Sequence, residues 1–139
     1  MLYIERLYLR GKLGKGVAAM RRLGAAERLL SDYEFSGFMP SVPCALAFGA
    51  RGTSRRDTNV DRISAADRYI EAVKACGPMF YPVIRHFVLD DLSLTDWAAV
   101  NVLPNNGRTA EEACRRLSAA LDRVGQAYEC LKERGKNDD

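Results

Sequence analysis

Residues 93–112 read Ser93-Leu-Thr-Asp-Trp-Ala-Ala-Val-Asn-Val-Leu-Pro-Asn-Asn-Gly-Arg-Thr-Ala-Glu-Glu112. Ser93 is followed three residues later by Asp96, a variant of the capping box that opens a helix. Thr109 and Glu112 repeat this pattern and predict the start of a second helix. The Pro-Asn-Asn-Gly run between them is typical of a turn. The segment therefore predicts a short helix and a second helix, joined by a turn.

Helical patterns also flank this segment. Upstream, residues 78–89 predict a helix that begins in a proline-containing turn. Downstream, the helix from Thr109 extends to about Arg134. The resulting order is helix, tight turn, short helix with Ala98 in its middle, turn and long helix, which is the organisation of a helix-turn-helix unit. We place this unit at Asp90 to Arg123.

The last predicted helix has two different faces. Its apolar residues fall within an arc of roughly 80° when each residue advances the helix by about 100°. Arginine and glutamate side chains occupy the opposite face. Arginine can bind guanine and asparagine can bind adenine in the major groove of DNA, and a helix N-terminus favours phosphate. We therefore expect six residues to face a major groove: Asn105, Asn106, Arg108, Glu112, Arg115 and Arg116.

Two alternative interpretations of this helix stay open. A charged outer face is equally typical of any solvated amphipathic helix, and several acidic residues dilute the positive charge here. The 4-3-4-3 spacing of the apolar residues from Leu117 to Leu131 is also compatible with the seam of a homodimer.

The rest of the chain predicts further helices and one irregular connection. Helical patterns run from Leu2 to Arg10, from about Val17 to Ser36, and from Ser64 to Cys76. The sequence thus predicts an all-α fold of five or six helices with a long final helix. We divide it into a helical segment at 1–38, an irregular basic connector at 39–62, a helix-turn-helix domain at 63–134 and a disordered tail at 135–139.

The connector is rich in proline, glycine and arginine. Within it, Arg51, Arg55 and Arg56 are expected to attract the phosphate backbone of DNA, although such a cluster is also typical of a solvated loop.

Composition favours an ordinary globular domain in the cytoplasm. The chain has 139 residues, with 21 Lys and Arg against 18 Asp and Glu. Residues 1–57 hold ten basic and five acidic side chains, whereas residues 58–139 hold eleven and thirteen, so attraction to nucleic acid must be local. No apolar run is long enough to span a membrane, and charges stand where a signal peptide needs its apolar region.

An enzyme is not expected from the inventory of reactive residues. The chain has one histidine, His86, and four widely spaced cysteines, so the paired ligands of a zinc site are missing. The cysteines are interpreted as small buried apolar residues. The run Gly11-Lys-Leu-Gly-Lys-Gly-Val17 lacks the spacing of a phosphate-binding loop. We therefore predict no catalytic residue, metal or cofactor.

Three segments carry a family resemblance that spans about Glu5 to Tyr128. They are Ala25-Ala-Glu-Arg-Leu-Leu-Ser-Asp-Tyr-Glu34, Ala65-Ala-Asp-Arg-Tyr-Ile-Glu-Ala-Val-Lys-Ala-Cys-Gly-Pro78 and Leu117-Ser-Ala-Ala-Leu-Asp-Arg-Val-Gly-Gln-Ala-Tyr128. With these the sequence resembles an uncharacterised helix-turn-helix-containing domain family of alphaproteobacterial chromosomes and prophages. Between Pro82 and Arg116 it departs from that family's pattern, so no contact residues are transferred. This part is similar to the helix-turn-helix of sigma factor region four, which implies promoter DNA or RNA polymerase nearby.

Together these observations predict a sequence-specific, duplex-DNA-binding transcriptional regulator derived from a phage, acting in the cytoplasm as a possible homodimer. A small adaptor or inhibitor that binds RNA polymerase or another host protein is the first alternative. It would use Trp97, Met79, Phe80 and the tyrosine-rich amino terminus. A DNA-packaging recognition subunit of a phage is the second alternative.

Overall fold

The computed structural model describes the backbone of residues 1–37 and 55–137, and the side chains of residues 1–37 and 64–133. All regular structure in these ranges is helical, as predicted. The helices are α1 (Tyr3–Leu9), α2 (Gly16–Ser36), α3 (Arg55–Cys76), α4 (Tyr81–Ile84), α5 (Leu94–Val100) and α6 (Gly107–Asn137). A π-helical turn, Arg85–Leu89, continues α4.

The three long helices α2, α3 and α6 pack against one another around one hydrophobic core. Each contributes fully buried side chains, among them Leu29, Ala72 and Leu121. All six helices place at least one side chain in the same cluster. The helical segments on either side of the predicted connector therefore share one core.

A polar contact joins the three long helices inside this core. Asp32 of α2 is only 8% exposed and accepts hydrogen bonds from the Arg68 guanidinium of α3 at 2.9 and 3.1 Å. The Tyr128 hydroxyl of α6 donates to the same carboxylate at 2.9 Å. A buried carboxylate is costly unless it is paired, so these two partners are needed for Asp32 to be tolerated.

The short elements form an aromatic cluster beside the long helices. Phe87 in the π-helical turn lies 6.3 Å from the ring of Tyr3 and 5.5 Å from that of Trp97. The Tyr3 backbone N–H donates to Asp91 Oδ1 at 2.7 Å, and the Tyr3 hydroxyl accepts from the Leu94 N–H. The amino terminus is thereby held against the segment that leads into α5.

The irregular connector predicted at 39–62 is wrong for its last part. Residues 55–62 are helical, because α3 begins at Arg55 rather than at Ser64. The first part of α3 carries almost no apolar residues, and a method that follows apolar periodicity cannot detect such a helix. Ser64 consequently lies inside α3 and does not cap it. Residues 38–54, with Arg51, lie outside the described part of the chain.

One further predicted boundary needs correction. The disordered tail predicted at 135–139 is wrong for residues 135–137, since α6 continues to Asn137. This end of α6 is rich in lysine, glutamate and arginine, which favour helix without any apolar stripe. The π-helical turn at the end of α4 has no counterpart in the prediction. It is closed by a hydrogen bond from the Asp90 N–H to the Arg85 carbonyl at 2.8 Å.

Candidate nucleic-acid interface

The start of α6 presents the predicted base-reading residues to solvent. All six are exposed: Asn105, Asn106, Arg108, Glu112, Arg115 and Arg116. The opposite face of α6 is buried, and Ala113, Leu117, Leu121, Val124 and Tyr128 are each 1% exposed or less. The predicted division of this helix into a charged face and an apolar face is confirmed.

The burial of this apolar stripe decides whether it can form the seam of a homodimer. Leu117, Leu121, Val124 and Tyr128 lie in the core of the chain itself, and Leu131 is partly buried against the same core. A stripe that is covered within one chain cannot also cover the stripe of a second copy. The interpretation of this spacing as a dimer seam is therefore wrong.

The cap of α6 differs from the predicted one. Asn106 Oδ1 accepts a hydrogen bond from the Thr109 N–H at 3.0 Å, and the Asn106 carbonyl accepts from the Ala110 N–H. Asn106 is thus the N-cap, and Thr109 lies in the first turn. Capping depends on the side chain's hydrogen bond and not on the Thr-x-x-Glu spacing alone. A bidentate contact of Asn106 with adenine would compete with this cap.

The predicted capping box of α5 is confirmed. Asp96 N–H donates to Ser93 Oγ at 3.2 Å, and Ser93 N–H donates to the Asp96 carboxylate at 3.2 Å. The hydrogen bonds that Ser93 N–H and Ser93 Oγ donate to the Asp96 carboxylate lower the pKa of Asp96 below its ordinary value. They fix the point at which the chain enters α5.

The turn between α5 and α6 contains a strained residue. Leu103 N–H donates to the Ala98 carbonyl at 2.8 Å and Val102 N–H to the Ala99 carbonyl at 3.3 Å, which is the Schellman pattern of a helix C-terminus. Its left-handed position is normally glycine, yet here it is Val102, with φ of 53°. Val102 is 91% exposed, so no packing contact of its side chain within the described residues offsets the cost of this conformation.

A shallow groove of about 350 Å³ separates α5 from the first turns of α6. Leu103 lies at one side of the groove, and Arg108, Glu112 and Arg116 line the other. The Arg116 guanidinium lies 4.0 Å from the Glu112 carboxylate, one helical turn away. An exposed pair of this kind contributes little to stability, so Arg116 remains available to an anionic ligand.

A second cationic surface lies around the turn between α1 and α2. We call it the basic surface, and it consists of the exposed residues Arg6, Arg10, Lys12, Lys15 and Arg21. None of the five forms an ion pair with a carboxylate in the described ranges. Sequence reasoning missed it because the positive charge of residues 1–57 was assigned to the arginines at 51–56. The detectable signal was six basic and no acidic residues between Arg6 and Ala26.

The turn that carries the basic surface is fixed to α6. Arg22 Nη1 donates to the Leu13 carbonyl oxygen at 2.6 Å, while its Nε and Nη2 donate to the Asp122 carboxylate of α6. A Cβ on Gly14 would lie 2.7 Å from Arg22 Nη1, and φ of Gly14 is 100°. Only glycine therefore fits at this position without displacing the Arg22 side chain.

The predicted backbone-contacting arginines are only partly described. Arg51 lies outside the described residues. Arg55 and Arg56 form the first positions of α3, and their side chains are likewise outside the described set. The structure thus leaves all six predicted base-reading residues exposed at the start of α6, brings Arg108, Glu112 and Arg116 together at one groove, and leaves the three connector arginines unassigned.

The reactive side chains have structural surroundings. His86 is buried against Phe87 and Trp97, and its Nε2 lies 2.8 Å from the Ser93 carbonyl oxygen. Burial raises the pKa of the Cys76 thiol to about 11 and also raises that of Cys114. Cys130, in contrast, is exposed, so the interpretation of the cysteines as buried is wrong for this one, and Cys44 lies outside the described residues.

The described residues hold neither a metal-binding cluster nor a membrane-spanning helix. These residues contain no group of three or more His, Cys, Asp and Glu side chains placed to share a metal ion. No helix there has the length and apolar character needed to cross a bilayer.

The aromatic surface expected of an adaptor is not assembled. Trp97 is 8% exposed and Leu7 is fully buried, while Leu2, Tyr3 and Tyr8 pack against the core. Met79 is exposed, but Phe80 lies beneath the Arg123 guanidinium at 4.7 Å. These residues do not form one exposed apolar patch.

No family model matches the chain, and neither a curated protein nor a solved structure does.

Proposed function

We propose that the chain is a sequence-specific, duplex-DNA-binding transcriptional regulator. In this proposal α4, α5 and α6 act as the helix-turn-helix unit, and the first three turns of α6 enter the major groove. The main support is the orientation of α6, whose outward face carries Arg108, Arg115 and Arg116 while its inward face is buried. An exposed helix face with arginines near its N-terminus matches the donors that guanine O6 and N7 require.

Each exposed group has a distinct part in this proposal. Arg115 and Arg116 contact base edges, and Arg108 lies next to the N-terminus of α6, where a phosphate is favoured. Asn105 precedes the cap and is free of a role in it, so it is better placed than Asn106 to bind adenine. Glu112 orients Arg116 through the ion pair on the helix surface.

The sequence resemblance adds two further parts to this proposal. They are that the chain derives from a phage and that it acts near RNA polymerase. A fold alone does not specify a function, so both require tests of their own. Co-purification of RNA polymerase with the tagged full chain, compared with the tag alone, would test whether the chain acts near RNA polymerase.

The test of DNA binding is an electrophoretic titration of the full chain against random and genomic duplexes at several salt concentrations. We expect some genomic fragments to bind at least about 1,000 times more tightly than random duplex at physiological salt. Absence of any complex tighter than about 10 μM would reject the proposal, because ordinary non-specific binding already reaches that range.

An adaptor that binds a protein is the second candidate, and one observation favours it. Val100, Val102 and Leu103 are exposed together at the turn between α5 and α6, and Leu103 also lines the groove. Exposed apolar groups that adjoin a groove are typical of protein-docking surfaces. Val102→Asp would abolish capture of a protein partner and leave duplex affinity within about tenfold, since one acidic side chain at the rim acts mainly through charge.

A further inference from the structure

We infer that the basic surface around the α1–α2 turn binds the phosphate backbone of the duplex that α6 reads. This inference rests on the proposed function and deepens it, because it assigns the phosphate contacts to α1 and α2. The sequence placed those contacts in the 39–62 connector instead. The observation is that the turn carrying these five exposed cations, none of them ion-paired within the described residues, is joined through Arg22 to the helix that carries Arg115.

The charge of the basic surface is not balanced from within the described chain. Its five cations are exposed, and Glu5 and Glu27, the acidic residues nearest in sequence, form no ion pair with them. Clustered like charges destabilise a fold through mutual repulsion unless a ligand of opposite charge is bound. A surface of this kind therefore fits a polyanion, and duplex DNA carries one negative charge per about 1.7 Å of its axis.

The basic surface and the start of α6 belong to neighbouring elements. The Arg22–Asp122 ion pair joins the beginning of α2 to the middle of α6, and Arg22 also holds the carbonyl of Leu13 in the turn. Lys12 is close enough to Cys114, the residue before Arg115, for its ammonium to oppose the effect of burial on that thiol. One duplex can thus contact the turn through phosphates and α6 through bases.

An anionic membrane is the main competing ligand, because Leu9, Val17 and Met20 are exposed among the same cations. The apolar part is short, however. On α2 it ends after Met20, and α1 has only seven residues. A helix that lies in a membrane interface presents a continuous apolar face along its length. The observations therefore favour the phosphate backbone of DNA.

The experiment compares two double variants that remove the same charge from the same residue type. Lys12→Ala with Lys15→Ala removes two cations of the basic surface. Lys74→Ala with Lys132→Ala removes two exposed cations from the ends of α3 and α6, outside it. Affinity for a preferred duplex and for a random duplex is measured by titration between 50 and 200 mM salt, and thermal unfolding confirms that both variants fold.

We expect the first double variant to bind both duplexes more weakly and to flatten the slope of log affinity against log salt by about 1.8, as for two lost phosphate contacts. Between 50 and 200 mM salt this double variant should then lose about tenfold less affinity than the unaltered chain loses. The control should keep the original slope. An unchanged slope in the first variant, or equal changes in both, would overturn the inference while leaving the proposed function intact.

Two other outcomes separate the ligands. If the unaltered chain binds no duplex, the proposed function fails together with this inference. If Lys12→Ala with Lys15→Ala leaves the salt slope for duplex DNA unchanged but abolishes sedimentation of the chain with vesicles of phosphatidylserine and phosphatidylcholine, the basic surface is a membrane-binding surface and the DNA assignment is rejected.

Discussion

Arg22 of α2 and Asp122 of α6 form a bidentate ion pair, in which Nε donates to Oδ1 at 2.8 Å and Nη2 donates to Oδ2 at 3.0 Å. The third donor of the same guanidinium binds the Leu13 carbonyl. One side chain therefore fixes both the long final helix and the glycine-rich turn. The hydrogen bond to Asp122 raises the pKa of Arg22 above its ordinary value, so the guanidinium keeps its proton at alkaline pH.

Arg22→Ala should lower the free energy of unfolding by about 1–2 kcal/mol. It removes charge-assisted hydrogen bonds and leaves the Leu13 carbonyl without this donor, but Asp122 is half exposed and water replaces part of the loss. Urea unfolding followed by circular dichroism measures the change. Arg21→Ala, which removes an exposed neighbour, is the control and should stay within about 0.5 kcal/mol. Equal effects of the two substitutions would contradict this role of Arg22.

Val102→Gly should stabilise the fold. The left-handed conformation costs an L-residue roughly 1–2 kcal/mol, and glycine avoids that cost but loses more backbone entropy on folding. A net gain of about 0.5–1 kcal/mol is expected in thermal unfolding. Val100→Gly, at an exposed helical position two residues earlier, should instead destabilise, because glycine disfavours helix. A loss of stability in Val102→Gly would show that the valine side chain has a packing role.

The capping box of α5 predicts a pH dependence. The pKa of Asp96 is lower in the folded chain than its value of 3.8 in the unfolded chain. The ionised carboxylate therefore contributes to stability above pH 3.8, and this contribution is lost as the pH falls through the folded-state pKa. The difference in the free energy of unfolding between the unaltered chain and Asp96→Asn should therefore be greatest near neutral pH. This difference should vanish at strongly acidic pH. Urea midpoints at several pH values test this. A difference that does not change with pH would mean that the Asp96 charge is not involved.

Much of this fold follows from patterns that a single sequence contains. The apolar stripe of α6 is regular over five turns, and Ser93 with Asp96 stands directly before an apolar run, so the faces of α6 and the start of α5 could be predicted. The extension of α3 upstream of Ser64 could not, because its sequence has too few apolar residues to show helical periodicity. The Asn106 cap was missed because Thr109 offers the same pattern three residues later.

The candidate site was predictable in part for similar reasons. Residues on one face of α6 are related by helical geometry alone, and Arg115 and Arg116 were found in this way. The basic surface depends on tertiary contacts instead: Arg10, Lys12 and Lys15 become relevant only when the Arg22–Asp122 pair brings their turn to α6. No local pattern in the sequence contains that contact.

The contact between Tyr128 and Asp32 predicts an alkaline effect. Burial raises the pKa of Tyr128, and the negative charge of Asp32 raises it further, so the folded chain keeps this proton to higher pH than the unfolded chain. The protonated Tyr128 hydroxyl therefore contributes its full share of stability below pH 10.0, the pKa of tyrosine in the unfolded chain. This contribution is lost as the pH rises above that value. Tyr128→Phe should lower stability by about 1–2 kcal/mol at pH 7 because Asp32 loses a donor.

Measurements at higher pH complete this test. Between pH 9 and 11 the stability of Tyr128→Phe should fall less steeply than that of the unaltered chain. A residual fall is expected, because burial also raises the pKa of Tyr69. Parallel pH profiles for the two proteins would contradict the assignment.

The most direct test of α6 as the reading element is the sequence preference of Arg115→Ala and Arg116→Ala. Each is titrated against the preferred duplex and a random duplex at the same salt concentration, with Lys132→Ala, further along the same helix, as control. We predict that each arginine variant loses about 5- to 150-fold in preference for its duplex, which corresponds to 1–3 kcal/mol for a base contact, and keeps its affinity for random DNA nearly unchanged. Full preference in both variants would contradict the account.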